Sequence, residues 1–249
     1  NPEAKILFGS PFTKNPQIFL KTFELDSSVL SIVETDESPV AQNLIHIQTD
    51  IHRPKLIYLY RILDDANSDE IAEVDFNTEL VREEQTLSQI STFLGKDSLN
   101  IVYGSEPVKC EKIAELISSI TSESKIISNQ EEELADFAEL IRHHIHKDFS
   151  LAEFVKNGVA YHYGNLPAFL RKGIEHLFIE GKISFIVCTS TLLQGVNLPA
   201  QNIFIMNPSK GGEKQRPIPL SPTEFWNLAG RAGRLAKDFE GNVHLINIS

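Results

Sequence analysis

From residue 99 onward, short apolar runs alternate with segments whose apolar positions recur at helical spacing. Short apolar runs bounded by turn residues are typical of buried strands, and strands separated by helices predict βαβ units. Such units predict an α/β fold with a mostly parallel sheet that helices cover on both faces. The predicted strands are LNIVY (99–103), GVAYHY (158–163), ISFIVC (183–188), NIFIM (202–206) and NVHLINI (242–248).

The helical segments carry their own boundary signals. EEELADFAELIRHHIH (131–146) places apolar residues at i, i+3, i+4, i+7 and i+11, with its acidic residues at the N-terminal end that the helix dipole favours. Another helix is predicted from Pro107 to about Ile120. A third opens at Pro167 and stops at Gly181, and its apolar residues share one face: Leu170, Ile174, Leu177 and Phe178.

The first part of the chain has a different pattern. Residues 1–63 contain alternating, β-rich stretches such as LIHIQTD and KLIYLY, and nine acidic residues against one basic residue follow between Asp64 and Glu84. An acidic tract of this kind is typical of a solvated connector or an exposed helix. We therefore predict a β-rich connecting segment with an acidic linker over 1–85 and an α/β domain over 86–249. The sequence assigns no role to the first segment.

The net charge of −11 changes the picture of possible partners. An acidic chain does not bind phosphate indiscriminately through bulk charge, so any contact with nucleic acid has to be local. Metal binding is not predicted, because in HHIH (143–146) only His143 and His146 approach one helix face and no third ligand is evident.

Composition also bounds the location. No run approaches the roughly 18 apolar residues of a membrane span, and the N-terminus lacks a signal-peptide pattern. Cys110 and Cys188 have no metal-like spacing and are interpreted as reduced thiols. We expect a cytoplasmic protein with no membrane partner. Because the chain begins at Asn1 and its single methionine is Met206, we interpret it as an excised fragment.

The stretch ISFIVCTSTLLQGVNLPA carries the first candidate chemistry. Its apolar strand ends at Cys188, and hydroxyl residues follow at Thr189 and Ser190 before a short helical stretch that ends near Gly195. The carboxyl edge of a strand that feeds a helix N-terminus is where open α/β sheets bind ligands, and hydroxyls there suit phosphate oxygens. The alternative is that Thr189 or Ser190 only caps the helix.

The second candidate is SPTEFWNLAGRAGR (221–234). It begins with a capping box, in which Ser221 is the N-cap, Pro222 the first helical residue and Glu224 the third. A helix that continued through the segment would place Asn227, Arg231 and Arg234 on one face, where the two guanidiniums could hold phosphate.

Such a helix would contain Gly230 and Gly233, each costing roughly 1 kcal/mol relative to alanine. That cost suggests that a partner approaches the bare backbone. The alternative is a solvated basic face, which leaves the two glycines unexplained.

These two stretches, CTSTLLQGVNLPA (188–200) and EFWNLAGRAGR (224–234), closely resemble motifs V and VI of superfamily 2 helicases, in the DExH branch of superkiller RNA helicases and archaeal repair helicases. NIVYGS (100–105) resembles motif IV, and residues 159–183 resemble the branch's histidine-glycine-leucine-proline segment. The resemblance covers roughly residues 86–249 and implies the second RecA-like domain of such a helicase.

The resemblance implies a role for each matching residue. Arg231 and Arg234 would reach the γ-phosphate of ATP, with Arg234 favoured as the arginine finger. The implied ATP-binding residues are Asn227, Gly195, Asn197 and Gly230, and the implied nucleic-acid-binding residues are Thr189, Ser190, His162, Tyr163, Gly164 and Ser105. Where this chain has Asn227 the family usually has glutamine, a longer amide.

The resemblance also implies partners that this chain does not encode. ATP and Mg²⁺ would be held mainly by a first RecA-like domain, through GxxxxGK[ST] and DExH motifs that are absent from these residues. The leading hypothesis is the C-terminal motor half of an ATP-dependent helicase or translocase acting on single-stranded nucleic acid. The alternative hypothesis is a degenerate RecA-like module that binds nucleic acid or protein without ATPase activity.

Overall fold

The computed structural model describes residues 18–22, 41–64, 66–123, 131–190, 198–211, 216–233 and 240–248. The chain divides into two compact units, Asn1–Ser38 and Pro39–Ser249. The described part of the first unit is one short helix, α1 (Ile18–Thr22). All other described elements belong to the second unit.

One large sheet organises the second unit, with the strand order β3-β2-β1-β10-β7-β4-β6-β5. The six strands from β1 to β5 along this order are parallel, whereas β2 and β3 continue the sheet antiparallel beyond β1. The predicted α/β class with a mostly parallel sheet is confirmed. The strands are β1 (Ala41–Thr49), β2 (Leu56–Ile62), β3 (Ser68–Asp75), β4 (Asn100–Tyr103), β5 (Val159–His162), β6 (Phe185–Cys188), β7 (Asn202–Ile205) and β10 (Glu240–Ile246). A separate hairpin pairs β8 (Ser209–Lys210) with β9 (Ile218–Pro219).

Helices alternate with the strands, as the sequence predicted from residue 99 onward. The predicted shared face of α6 is confirmed, since the four apolar residues of that face are all buried. The described helices of this unit are α2 (Glu83–Leu94), α3 (Pro107–Glu123), α4 (Glu131–His144), α5 (Leu151–Lys156), α6 (Ala168–Ile179) and α7 (Pro222–Ala229).

The half of the sheet formed by β7, β4, β6 and β5 is its most deeply buried part. Every residue of β4, β5, β6 and β7 is buried, as expected for parallel strands covered on both faces. Each fully buried Val, Leu or Ile side chain contributes roughly 1.5–3 kcal/mol to folding.

The acidic tract differs from expectation. We expected a solvated connector or an exposed helix, but residues Ser68–Asp75 form the edge strand β3. The neighbouring strand β2 supplies a full antiparallel partner, with Val74 opposite the buried Ile57. Charged residues on an edge strand discourage pairing with another chain, so acidic composition is compatible with a strand at this position.

The predicted connecting segment thus contributes three strands to the sheet. β1 lies parallel to β10, about two hundred residues later, with Ala41 opposite Glu240 and Ile47 opposite Ile246. The compact unit begins at Pro39. The boundary between residues 85 and 86 stays a prediction.

A row of four asparagines crosses the amino-terminal ends of adjacent strands. Asn43 donates to Asn242 (3.2 Å), Asn242 donates to Asn202 (3.0 Å), and Asn202 donates to Asn100 (3.0 Å). Asn100 in turn donates to the carbonyl oxygen of Gly95 at 2.8 Å. We call these four side chains the amide row. Each inner member is satisfied by its neighbours, which is the condition for burying amides at little cost.

In the part of the chain that the structure describes, no helix combines the length and the apolar character needed to cross a bilayer.

Candidate functional site

Helix α7 begins as the sequence predicted. The side chain of Ser221 accepts a hydrogen bond from the Glu224 amide, and the Ser221 amide donates to the Glu224 carboxylate at 2.9 Å. The ammonium of Lys210 also binds this carboxylate. The hydrogen bond from Lys210 is the main cause that lowers the pKa of Glu224 to about 2, and the hydrogen bonds from the amide and hydroxyl of Ser221 add to it. The capping box is confirmed, and the start of the helix is firmly fixed.

The end of α7 overturns the expected helical stripe. The helix stops at Ala229 and Gly230 is its C-cap, so Arg231 lies beyond it and does not share a helix face with Asn227. Gly233 has φ of +90°, a left-handed conformation that favours glycine and ends helical geometry. The helix-interior cost expected for Gly230 and Gly233 therefore does not apply.

Residues 230–233, here called the arginine turn, are held by a backbone bridge to Ala200. The Ala200 amide donates to the Arg231 carbonyl (3.0 Å), and the Gly233 amide donates to the Ala200 carbonyl (2.7 Å). Ala200 lies two residues before the start of β7. The glycines therefore serve a turn that returns the chain to the sheet, and the turn presents Arg231 from a fixed backbone.

The side chain of Arg231 is partly buried. Burial lowers the pKa of its guanidinium, which nevertheless stays charged because arginine does not lose its proton in proteins. Burial also raises the pKa of the Cys188 thiol to about 12, while the positive charge of Arg231 acts in the opposite direction. The guanidinium therefore lies within electrostatic range of the end of β6, the strand that leads to Thr189.

The structure describes only some of the remaining residues that the resemblance implies for ATP binding. Asn227 and Gly230 are exposed, at and just beyond the end of α7. Arg234, Gly195 and Asn197 lie outside the described residues.

The predicted nucleic-acid-binding residues gather at one edge of the sheet. Ser105 follows β4, Thr189 and Ser190 follow β6, and His162 ends β5, all at the carboxyl ends of neighbouring parallel strands. Backbone bonds tie these ends together. The Gly104 amide donates to the Cys188 carbonyl (2.8 Å), and the Thr189 amide donates to the His162 carbonyl (3.4 Å). We call this edge the carboxyl rim.

The side chain of His162 is enclosed. It is 3% exposed, and its Nε2 lies 3.0 Å from Oε1 of Glu175 on α6. Burial lowers the pKa of His162, against the opposing effect of Glu175. Its imidazole therefore fixes β5 to α6, and a contact between residue 162 and a ligand would use the backbone. Sequence reasoning missed Glu175, thirteen positions later.

Tyr163 and Gly164 complete the loop after β5. The Tyr163 hydroxyl donates to Oε1 of Glu111 at 2.5 Å, and its ring stacks on Tyr161 with centroids 5.5 Å apart. Burial, reinforced by Glu111, raises the pKa of Tyr163. Its hydroxyl is thus engaged with protein, whereas Gly164 is exposed at the tip.

Tyr103 is a further residue at the carboxyl rim that the sequence did not single out. Its hydroxyl donates to the Ser209 carbonyl at 2.8 Å, and it is 2% exposed. Burial raises the pKa of Tyr103, while a hydrogen bond from the side chain of Ser190 opposes the shift. Tyr103 thereby anchors Ser190 to the sheet. Its position as the last residue of a predicted strand was the only available signal.

Comparison with known families identifies this arrangement. A family model described as the helicase conserved C-terminal domain matches residues 108–236, more than half of the 249 residues. The chain belongs to this family. The resemblance to the second RecA-like domain of superfamily 2 helicases is confirmed.

Helicases from distant organisms are similar to this helicase C-terminal domain. It is 32% identical over 148 residues to the ATP-dependent DNA helicase Hel308 of Methanocella arvoryzae, covering 59% of this chain and 20% of that protein. It is 39% identical over 128 residues to the probable helicase HelY of Mycobacterium leprae, covering 47% and 14%. It is 39% identical over 95 residues to the POLQ-like helicase of Caenorhabditis elegans, covering 38% and 10%. The chain therefore spans a fifth or less of these relatives.

One group of side chains in this helicase domain has metal-like spacing among the described residues. Potential ligand atoms of Glu133, His176 and Glu180 lie within 4.8 Å of one another, and all three residues are exposed. Lys182 forms ion pairs with both carboxylates. Because the ammonium already pairs with both carboxylates, we assign no metal to the cluster.

Proposed function

We propose that the complete protein is an ATP-dependent helicase or translocase and that this chain supplies its second RecA-like domain. The observation that carries the proposal is the arginine turn. A capped helix, a backbone bridge to Ala200 and a left-handed Gly233 fix Arg231 just after α7, within the segment that matches the helicase family. A rigid backbone for an arginine suits a role that depends on position.

The proposed chemistry is phosphoryl transfer from ATP to water. ATP with Mg²⁺ would be held mainly by the first RecA-like domain of the same polypeptide, our proposed partner. Arg231 and Arg234 would face the γ-phosphate, with Asn227, Gly230, Gly195 and Asn197 lining the same cleft. A positioned arginine stabilises the charge of the transferring phosphoryl group and contributes roughly 10³–10⁵ in rate in well-studied GTPases.

The proposed path for single-stranded nucleic acid follows the carboxyl rim. Ser105, Thr189 and the exposed Gly164 end three neighbouring strands, which supports one continuous contact line. Ser190, Tyr163 and His162 belong to the same rim. Because the His162 imidazole and the Tyr163 hydroxyl are engaged with glutamates, we propose that these two positions contribute through the backbone. Contacts of this kind fit an acidic chain, since they need no bulk positive charge.

The decisive experiment uses Arg234→Ala in the complete protein. We expect nucleic-acid-stimulated ATP hydrolysis to fall by about 10³-fold or more, because the transition-state charge loses its partner. Binding of single-stranded nucleic acid, measured by fluorescence anisotropy, is expected to stay within about twofold of the parent, because phosphate contacts at the rim are independent of this residue. Unchanged turnover would remove Arg234 from the mechanism. Absence of ATP binding by the complete protein would favour the non-motor module instead.

We also propose a cytoplasmic location. Cys110 and Cys188 are free and buried, which suits a reducing compartment.

A further inference from the structure

Two residues outside the matched family segment contact the arginine turn. Gln42 on β1 and Gly241 on β10 are paired directly across the sheet. Gln42 contacts the turn and the end of α7 through its side-chain amide, and Gly241 lies beside the turn because it has no side chain. Together they form what we call the turn seat.

The amide of Gln42 reaches both sides of Arg231. Its Nε2 donates to the Ala229 carbonyl at 3.2 Å and makes a longer contact of 3.5 Å with the Ala232 carbonyl. A primary amide nitrogen carries two hydrogens, so one side chain can serve both oxygens. These two carbonyls bracket Gly230 and Arg231. Gln42 therefore restrains the backbone on either side of the arginine.

Gly241 provides the space for this contact. A Cβ atom at this position would lie 2.2 Å from the carbonyl carbon of Ala232 and 2.2 Å from the amide nitrogen of Gly233. The glycine is needed for close approach, because its φ is not left-handed. The turn consequently packs directly on the backbone of β10.

We propose that Gln42 is a positioning residue for Arg231 and that the turn seat aims this arginine at the nucleotide. The inference rests on the proposed function, since it concerns the geometry of the same arginine. A catalytic group displaced by about 1 Å can lose on the order of 10² in rate, so restraint on both sides of Arg231 bears directly on turnover. The turn seat also gives a role to β1, within the segment 1–85 to which the sequence assigned none.

The test is nucleic-acid-stimulated ATP hydrolysis by the complete protein carrying Gln42→Glu. Glutamate has the same length as glutamine, but it lacks the two N–H donors and sets carboxylate oxygens against two carbonyls. We expect kcat to fall about tenfold or more, while KM for ATP stays within about twofold, because the arginine acts mainly on charge in the transition state. Gln48→Glu is the matched control, because it makes the same change on an exposed residue of the same strand. It is expected to keep the parent kcat.

A double-mutant cycle separates positioning from general stability. In an Arg231→Ala background, Gln42→Glu is expected to lower kcat by less than about twofold further, because the group that it positions is gone. A purely structural role would lower activity alike in both backgrounds. If Gln42→Glu melts at a lower temperature than the parent, Gln42→Met replaces it as the test variant. Methionine has a similar length and introduces no negative charge. Gln42→Met is expected to lower kcat about fivefold in the parent and by much less in the Arg231→Ala background.

The outcomes are distinct. If Arg231→Ala strongly lowers kcat and both Gln42 variants match Gln48→Glu in kcat, the positioning role is overturned and the proposed function stands. Equal loss from Gln42→Glu in both backgrounds overturns the positioning role as well. If Arg231→Ala keeps the parent turnover, both the positioning role and the proposed function of the arginine turn fail.

Discussion

At the scale of single residues, His244 links the stability of the fold to pH. It is buried in β10, its ring stacks on Phe204 with centroids 4.4 Å apart, and its Nε2 lies 3.3 Å from Oδ1 of Asn202. Burial lowers the pKa of His244 to about 3. The unfolded chain therefore takes up a proton near the ordinary pKa of about 6.5, which the folded chain does not. Stability from this residue is complete above that pH and is lost as the pH falls towards 3.

We predict that His244→Phe flattens this dependence. Phenylalanine preserves an aromatic ring beside Phe204 but does not titrate. Between pH 7 and pH 5 the parent should lose roughly 2 kcal/mol of unfolding free energy through His244, and the variant should lose about that much less. Urea denaturation at the two pH values measures the difference, with the exposed His52→Gln as control. Identical pH dependence in parent and His244→Phe would mean that the pKa of His244 is the same in the folded and the unfolded chain, and would contradict this prediction.

At the same scale, contacts between neighbours in sequence could be predicted, whereas contacts between distant residues could not. The capping residues Ser221 and Glu224 were predictable because a cap is a contact between close neighbours in sequence. The partners of the arginine turn were not, because Ala200 and Gln42 lie about thirty and about one hundred and ninety positions away. The sequence identified the arginines by resemblance, but their restraint depends on contacts that only the folded sheet creates.

At the scale of elements, apolar patterning was sufficient for the strands of the parallel core. Their residues are buried on both faces, so a continuous apolar run is enough to predict each strand. It was insufficient for the end of α7 and for β3. A helix end set by a bridge to another segment, and an edge strand whose exposed residues are acidic, both depend on neighbours in space.

The amide row links four adjacent strands, and its contribution to stability can be measured. We predict that Asn202→Leu lowers the free energy of unfolding by roughly 2–4 kcal/mol, because Asn242 and Asn100 each lose a partner within the sheet. Asn43→Leu, at the open end of the row, should cost less than about 1 kcal/mol, since its carboxylate partner Glu240 stays in water. Urea denaturation at pH 7 compares the two. Equal losses would mean that the row does not act as a connected unit.

At the scale of the whole molecule, the sheet joins parts that the sequence had separated. β1 and β10 lie at opposite ends of the compact unit in sequence, yet they are adjacent parallel strands at its centre. Alternating apolar residues predicted β-rich stretches within residues 1–63, but their spacing alone does not identify a partner strand two hundred residues away. The family match ends before β10 and starts after β3, so the pairing that supports the arginine turn was visible only in the structure.

The proposed division of labour between two RecA-like domains predicts that this chain alone is catalytically silent. The purified 249 residues carry the arginine turn but no GxxxxGK[ST] loop, so ATP and its magnesium lack the groups that would hold them. We expect no magnesium-dependent phosphate release above buffer, with or without single-stranded nucleic acid, from a preparation whose circular dichroism shows a folded α/β domain. The complete protein assayed in parallel is the positive control. Hydrolysis by the isolated chain that disappears in Arg234→Ala would contradict the division of labour, because it would place a whole active site within these residues.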